Sequence, residues 1–584
     1  MNLRKVALWG MGTLVFLAAA GGVALKVLVD PEHLRKMASE RAQSALHRDL
    51  KVSDIQFNLF PLPSVAVRDL ELTHATEPPL KARSVTVGLQ LLPLLIGKAR
   101  YRSAWFNEVD LQLDGAKWRI EEAMVDIDED MRDVKVVARI WRDDHAVSIN
   151  AFVADLSQAG KQGASSDAVV ELDFGTTRMN AKGKVPVDGS ARNFDVAVDI
   201  KSTALEDMNA FFGSKRKPRV PFTATFNARE ADGKVSIEKI EIALGELKAH
   251  GDAQYTPGPT PFTAVRISSD RVDWAKALYE AGNDNMLPPE SPQMFHDTPL
   301  AWWMVSALHG KKGIVDATFG TLILRNGVKM KNLKMKATYN DDHLDVTRWD
   351  SEMLGGTASG RIQLDGDRNA VVFDFEGSNL LLERWLTERK SRVKFKDGPM
   401  KVTAKVRATG PSMRKLVATL DGPIDIRMGK GTLINEGAGE AEAKLTGGGV
   451  DGPQPVVNFE CVGYALDFHN GRAEGESIIG ARTTDSHLLA SGWVDMSSQT
   501  LDLRGRIKGT SGIGLAAIVG DVKITGPIRT PRVRPDEQAL PKAVVRGAAA
   551  VATLGLSAVA TAAADSREAK ANDPCEAVFR KSPT

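Results

Sequence analysis

The stretch Met400–Thr409, MKVTAKVRAT, decides the fold class of this chain. Its residues alternate strictly between apolar and polar types along ten positions. Because successive side chains of a β-strand point to opposite faces, this period of two places every apolar residue on one side. The pattern predicts a strand with one wet face and one buried or lipid-facing face, as in an antiparallel sheet.

The same alternation recurs at distant points of the chain, for example in Val85–Leu91, Phe194–Ile200 and Leu501–Lys508. Helical spacing is rarer after residue 50 and marks Arg271–Ala281 and Leu380–Thr387. Since strands do not alternate with helices, a parallel α/β fold is disfavoured. The predicted fold is mainly β: an N-terminal transmembrane helix, then an elongated, curved antiparallel β-sheet groove with a few short helices.

The apolar residues of these strands form the candidate binding surface. An open sheet exposes such a face to a ligand, whereas a closed sandwich covers it with a second sheet, and the sequence leaves both open. The candidate groove-lining residues are Val85, Val87, Leu89, Leu91, Phe194, Val196, Val198, Phe222, Phe226, Met400, Val402, Val406, Leu501, Leu503 and Ile507.

A small residue two positions before glycine also recurs within strand patterns. This Ala-x-Gly unit occurs at Ala181–Gly183, Ala249–Gly251, Ala358–Gly360 and Ala490–Gly492. Glycine inside a strand predicts a bend or a close approach of another backbone.

Composition excludes several classes of protein. The 584 residues include 76 Lys+Arg and 74 Asp+Glu, a net charge of +2, so no basic excess favours nucleic acid. Hydrophobic residues make up 43% of the chain, which is typical of a packed protein. Two cysteines exclude a disulfide-dense scaffold and a four-cysteine zinc site, and leave room for one disulfide, Cys461 with Cys575.

The N-terminus predicts export. Val6–Leu25 carries no charge, and 20 helical residues span about 30 Å, the thickness of a bilayer core. Arg4 and Lys5 before it keep the N-terminus cytoplasmic by the positive-inside rule. We expect an uncleaved anchor; the alternative is a signal peptide cleaved after Ala18-Ala19-Ala20. A second uncharged stretch, Gly547–Ala564, is Ala-rich and favours a surface helix over a membrane span.

The sequence offers no constellation of catalytic residues. It lacks HExxH, GxSxG and Walker A motifs, and the histidines are scattered. The match Gly512–Ala517 to GxGxxA has no βαβ context and is expected to be a loop. The acidic run from Asp126 to Asp130 is expected to be a solvated turn, because the later ligands of a calcium loop are missing. We therefore predict no enzyme, no cofactor and no metal.

Several segments resemble the AsmA family of bacterial envelope proteins. At the N-terminus these are the anchor, Phe57–Pro61 leading into Val65–Leu72, and Leu91–Lys98. At the C-terminus the similar segments are Phe468–Gly471, Thr483–Asp485, Gly492–Met496, Ile524–Ile528 and Asp573–Cys575. The middle of the chain is similar only in pattern and departs from the family at Trp302-Trp303 and Gly447–Gly449.

The resemblance implies an inner-membrane anchor and a β-rich periplasmic body related to TamB/YhdP-type bridge-like lipid transfer proteins. It predicts six segments: the anchor 1–29, a chorein-like N-terminal region 30–115, a first periplasmic β-section 116–283, a Pro-rich linker 284–299, a C-terminal β-domain 300–536 and an Ala-rich tail 537–584.

The function implied by the resemblance is outer-membrane biogenesis, by holding or transferring phospholipid along an apolar β-groove. The alternative is a structural or interaction factor that assists outer-membrane protein assembly without moving lipid. The expected partners are membrane phospholipid, the inner membrane and envelope assembly proteins. We also expect Cys461 and Cys575 to form a disulfide that ties the C-terminal tail to the last sheet.

Overall fold

A computed structural model describes the larger part of the chain. The described residues are 39–40, 49–58, 62–73, 78–91, 93, 100–113, 115–128, 130, 132–190, 192–204, 206–212, 220–280, 294–297, 299–300, 302–388, 393–435, 456–483, 486–509, 520–529, 531–535 and 573–580. They fall into two compact units: unit 1 with residues 1–246, 250–254 and 280–282, and unit 2 with residues 247–249, 255–279 and 283–584.

Unit 1 is a run of antiparallel strands joined mostly by short turns. Each strand from β3 to β13 pairs with the next in sequence, while β1 and β2 both pair with β3. A helix, α1, spans Glu206–Phe211. The strands are β1 Asp49–Lys51, β2 Asp54–Asn58, β3 Ser64–Thr73, β4 Leu80–Leu89, β5 Tyr101–Leu113, β6 Ala116–Ile127, β7 Val134–Arg142, β8 His145–Val153, β9 Ser165–Phe174, β10 Thr177–Pro186, β11 Asp195–Ser202, β12 Phe222–Ala231 and β13 Lys234–Leu244.

The division between the units falls at β14, Leu247–Thr256. The later strands are β15 Phe262–Asp273, β16 Lys312–Ile323, β17 Lys329–Asn340, β18 His343–Met353, β19 Gly356–Asp365, β20 Ala370–Leu380, β21 Val393–Asp397, β22 Met400–Thr409, β23 Gly422–Met428, β24 Gly431–Asn435, β25 Val456–His469, β26 Arg472–Thr483, β27 Ser486–Asp495, β28 Thr500–Gly509, β29 Gly520–Pro527 and β30 Arg532–Pro535. The helices are α2 Trp274–Glu280, α3 Trp303–Ser306, α4 Leu382–Glu388, α5 Met413–Ala418 and α6 Pro574–Arg580.

Unit 2 departs from the predicted all-antiparallel pairing at one place. Strands β15 and β16 run parallel, so the sheet is mixed. The connection 274–311 between them is long enough to allow this, because parallel neighbours need a crossover rather than a hairpin. From β16 onward the described pairs are antiparallel, with β22 inserted between β20 and β23 and the pair β21–β24 branching from β25.

The predicted elements mostly coincide with observed ones. Strand β22 has the predicted bounds, Met400–Thr409. The helix predicted at Arg271–Ala281 begins only at Trp274, because β15 continues to Asp273. In the part of the chain described above, no helix is long and apolar enough to span a membrane. The predicted anchor Val6–Leu25, the stretch Gly547–Ala564 and the loop Gly512–Ala517 lie outside the described residues.

The Ala-x-Gly units mark close backbone approaches where glycine contacts are described. A Cβ at Gly183 would lie 2.1 Å from the carbonyl oxygen of Asp195, and one at Gly360 would lie 2.1 Å from that of Asp374. At Gly492 the distance to the oxygen of Asp502 would be 2.2 Å, and its φ of +130° is one that other residues rarely adopt. All three positions therefore need glycine for space, and Gly183 and Gly492 need it for their positive φ as well.

We predict that Gly492→Ala lowers the free energy of unfolding of unit 2 by about 2–3 kcal/mol, since it adds overpacking and an unfavourable φ. Urea unfolding followed by tryptophan fluorescence measures the change. Gly258→Ala is the control in the same unit, because a Cβ there meets nothing within 4 Å. Equal stability of the two variants would contradict the close approach at Gly492.

Candidate functional site

An unbroken row of apolar side chains crosses unit 1 perpendicular to its strands. Residues directly opposite each other in a sheet lie on the same face. The register therefore aligns, from β3 to β13, Val67, Val85, Phe106, Ala123, Ala138, Ile149, Leu172, Met179, Ile200, Ala224 and Ile242. A second row beside it contains Val65, Val87, Ala104, Val125, Val136, Ala151, Val170, Ala181, Val198 and Phe226. We call these two rows the unit 1 apolar face.

The opposite face of the same strands is mainly polar. One residue out of phase, the register aligns Arg68, Ser84, Asn107, Glu122, Arg139, Ser148, Asp173, Arg178, Lys201 and Thr223. Exposed ion pairs connect neighbouring strands on this side, such as Arg229 with Asp195 at 2.6 Å and Arg119 with Asp110 at 2.9 Å. Each exposed pair contributes only about 0–1 kcal/mol, so these charges chiefly keep this face in water.

The middle of the unit 1 apolar face is incompletely covered. Val125, Val136, Ala151, Val170 and Ala181, on β6 to β10, are all partly exposed. Ten strand spacings of about 4.8 Å give the full row a length of roughly 48 Å, compared with about 30 Å for a bilayer core. The surface is therefore long enough for extended hydrocarbon.

Helix α1 covers one margin of this face. Phe211 packs with Trp118 at 5.6 Å and with Phe174 at 5.2 Å between ring centroids. Phe174 and Phe211 are buried in this cluster together with Val147. The helix is fixed there by Arg142, which donates a hydrogen bond of 2.7 Å to the carbonyl oxygen of Phe211. The aromatic cluster forms a wall along the margin.

Unit 2 has an apolar face built by the same rule. One row joins Ile267, Ala317, Met335, Trp349, Gly360, Phe375, Ala404, Ile424 and Leu466 from β15 to β25. The adjacent row joins Gly377, Val402, Ile426, Tyr464, Ile479, Ala490, Gly505 and Val522. Val402, Ile426 and Phe375 are partly exposed, whereas Ala490 is buried. We call these rows the unit 2 apolar face.

The register brings the predicted lining residues together within each unit. Val85, Val87, Leu89, Val196, Val198, Phe222 and Phe226 lie on the unit 1 apolar face. Met400, Val402, Val406, Leu501 and Leu503 lie on the unit 2 apolar face. Ile507 is paired within β28, and its side chain lies outside the described ones. Two lie outside the strands: Leu91 follows β4 and is 50% exposed, and Phe194 directly precedes β11. That any of them contacts lipid stays a prediction.

The unit 2 apolar face carries polar atoms that sequence periodicity did not select. Burial raises the pKa of Tyr464 to about 12. Trp349 is buried, and its indole Nε1 has no hydrogen-bond partner among the residues that the structure describes. Its position was missed because a bulge between Val346 and Trp349 shifts the phase of β18 by one residue. Strict alternation from Leu344 would instead have placed Arg348 on the apolar face.

The C-terminal helix α6 lies on the other face of unit 2. Cys575 forms a disulfide with Cys461 on β25, with a Cα–Cα distance of 6.4 Å. The side chain of Val578 is 1% exposed. The helix approaches closely because Gly463 and Gly480, which pair across β25 and β26, have no side chains: a Cβ at Gly480 would lie 2.2 Å from the carbonyl oxygen of Pro574. The disulfide therefore fixes the tail to β25 without occupying the apolar face.

Titratable side chains cluster at one turn of unit 2. His309 Nδ1 lies 2.7 Å from the buried carboxylate of Asp342 and 3.0 Å from that of Asp341. The hydrogen bond to Asp342 and the charges of both carboxylates raise the pKa of His309. These three side chains are near enough to share a metal ion, as are Asp573 and the two cysteines. The cysteines are consumed by the disulfide, and His309 already bridges its two carboxylates, so we assign both groups a structural role.

Comparison with known proteins gives one match. Residues 1–114 match the model of the AsmA family. No curated protein and no solved structure matches the chain. The family resemblance is thus confirmed at the N-terminus, while the relation to TamB/YhdP-type proteins stays a prediction.

We predict that the double variant Cys461→Ser/Cys575→Ser loses up to about 4–5 kcal/mol of stability, because the disulfide closes a loop of sequence separation 114. Hydrogen exchange of residues 573–580 should rise in this variant, since the segment is then held only by non-covalent contacts, such as packing and the 2.7 Å ion pair of Arg482 with Asp573. Thiol labelling of the denatured, unreduced wild-type protein should find no free cysteine. Two labelled cysteines would contradict the disulfide.

We also predict that Asp342→Asn lowers the pKa of His309. The ion pair is fully present below the ordinary histidine pKa of about 6.5 and is lost as the pH rises through the raised value. NMR titration of the imidazole measures it directly. Asp350→Asn, which removes a partner of Arg348 in the same unit, serves as the control. An unchanged His309 pKa in Asp342→Asn would contradict the assigned hydrogen bond.

Proposed function

Because the chain carries the N-terminal region of the AsmA family, we propose that it is an envelope protein that holds or transfers phospholipid on its apolar sheet faces. Val6–Leu25 would anchor it in the inner membrane, with a cytoplasmic N-terminus and a periplasmic body. The observation that carries the proposal is the register. It keeps every member of the longer unit 1 row apolar from β3 to β13, and much of this surface is incompletely covered.

Hydrocarbon transfer explains why such a surface is useful. Exposing acyl chains to water costs about 0.8 kcal/mol per CH₂ group, so an unassisted lipid meets a high barrier between two bilayers. An apolar protein surface is nearly as favourable an environment for the acyl chain as the bilayer that the lipid leaves. A continuous row therefore lowers the barrier without binding the lipid tightly, and no reactive side chain is required.

The two-faced sheet also suits the orientation of an amphipathic lipid. Acyl chains would lie against Val, Ile, Leu and Phe side chains of the apolar faces. The charged headgroup would stay at the open side in water, because burying an unpaired charge is costly. The ion pairs on the opposite face keep the other side of the sheet hydrated.

A second candidate function, assistance to outer-membrane protein assembly without lipid transfer, is favoured by one feature. Trp105, Met124 and Val137 are cross-strand neighbours on the polar face of unit 1. Trp105 is 43% exposed and Val137 is 37% exposed. Such an apolar patch on a wet face could contact a protein partner.

We predict that a photo-crosslinking amino acid at Val402 in the full-length chain captures phospholipid in membranes, whereas the same group at Thr403 does not. These neighbouring residues are both partly exposed but point to opposite faces of β22. Mass spectrometry of the adducts identifies what is bound. A protein adduct at Val402, with no lipid, would support the second function; equal lipid labelling at both positions would contradict the proposed one.

A further inference from the structure

The indole N–H of Trp349 is an exception among the polar groups that the structure describes. Trp349 is 5% exposed, and its Nε1 atom has no hydrogen-bond partner in the described part of the chain. Asn180 Oδ1 is the other buried side-chain atom without a partner among the described residues. By contrast, the indole of Trp302 donates to the carbonyl oxygen of Gly410 at 3.0 Å, and the hydroxyl of Ser351 donates to that of Lys331 at 3.1 Å. Because a buried donor without an acceptor is costly, a persistent exception suggests a missing acceptor.

The position of Trp349 places this donor on the unit 2 apolar face. It lies opposite Met335 on β17 and Gly360 on β19. A Cβ at Gly360 would lie 2.9 Å from Nε1, so the indole is seated directly against this glycine, where a side chain would collide with it. The bulge that contains Thr347 turns the indole to this side, and the Thr347 hydroxyl donates to the carbonyl oxygen of Lys336 at 3.2 Å.

The neighbouring aromatic ring does not satisfy the N–H. The rings of Trp349 and Phe375 are 5.9 Å apart with an interplanar angle of 34°. An indole N–H lies in its own ring plane, so in this tilted arrangement it does not point at the face of Phe375. Met335 and Phe375 are both partly exposed, and their movement would open a path to the buried nitrogen.

We propose that Trp349 donates its indole N–H to the ester carbonyl oxygen of a lipid on the unit 2 apolar face. This inference rests on the proposed function and adds a determinant of specificity to it. The acceptor must sit next to hydrocarbon, because the surrounding row is apolar. It must also be neutral, since a carboxylate in this row would have no cation beside it. An ester at the head of an acyl chain meets both conditions.

Diacyl and dialkyl phosphatidylcholine of equal chain length test this proposal. Each displaces a fluorescent phospholipid from the full-length protein, and the ratio of apparent affinities is measured. One neutral hydrogen bond should favour the diacyl lipid about three- to tenfold in the wild type. In Trp349→Phe this ratio should fall to about one, with dialkyl binding unchanged. The indole N–H resonance of Trp349 should move on adding diacyl lipid only.

Trp493→Phe is the matched control. Trp493 lies in the same unit but on the opposite face of the sheet, where its cross-strand neighbours in the register are Glu474 and Asp502. This variant should keep the wild-type ratio. The role of Trp349 would be overturned if the wild type bound diacyl and dialkyl lipid equally well. It would also be overturned if Trp349→Phe kept the wild-type preference for diacyl lipid. Stronger competition by a fatty-acid anion than by diacyl lipid would overturn the ester as acceptor. Failure of both phospholipids to bind would instead overturn the proposed function itself.

Discussion

The structure depends on the constraint that cross-strand neighbours share a face. A shift of register by one residue would exchange the apolar and polar sets of a whole strand. In unit 1 no strand from β3 to β13 undergoes this exchange, so the apolar row is continuous from Val67 on β3 to Ile242 on β13. Alternation within each strand is local, but the row is a property of all the pairings together. This constraint gives the molecule a surface on which a hydrocarbon chain meets no charged side chain along the aligned row.

Irregularities adjust the register without breaking this constraint. In a regular strand, residues three positions apart point to opposite faces. The bulge in β18 nevertheless places Val346 and Trp349 on the same face. The glycines at 183, 360 and 492 admit a neighbouring carbonyl group where a side chain would collide. Covering elements are placed at particular points: α1 packs its aromatic cluster at one margin of unit 1, and α6 is fixed to the face of unit 2 opposite the unit 2 apolar face. The central strands of unit 1 keep an apolar surface that is partly exposed.

Much of this arrangement was predictable from the sequence, for physical reasons. Period-two alternation reports which face a residue occupies, and it placed Val198, Phe226 and Val402 on apolar faces before any pairing was known. The pairing itself was not predictable, because it depends on contacts between distant segments. The parallel pair β15–β16 and the insertion of β22 between β20 and β23 are of this kind. Trp349 was missed for a related reason: a bulge is invisible to a pattern that assumes an unbroken period.

We expect lipid on the apolar faces and not on every exposed hydrophobic residue. Val169 and Val170 offer the sharpest comparison, because they are identical, adjacent and partly exposed, and they face opposite sides of β9. The direct measurement is the amount of phospholipid that copurifies with full-length wild-type protein and with each aspartate variant. Val170→Asp should lose most of this lipid, whereas Val169→Asp should retain it. Equal retention by the two folded variants would show that lipid does not depend on the unit 1 apolar face.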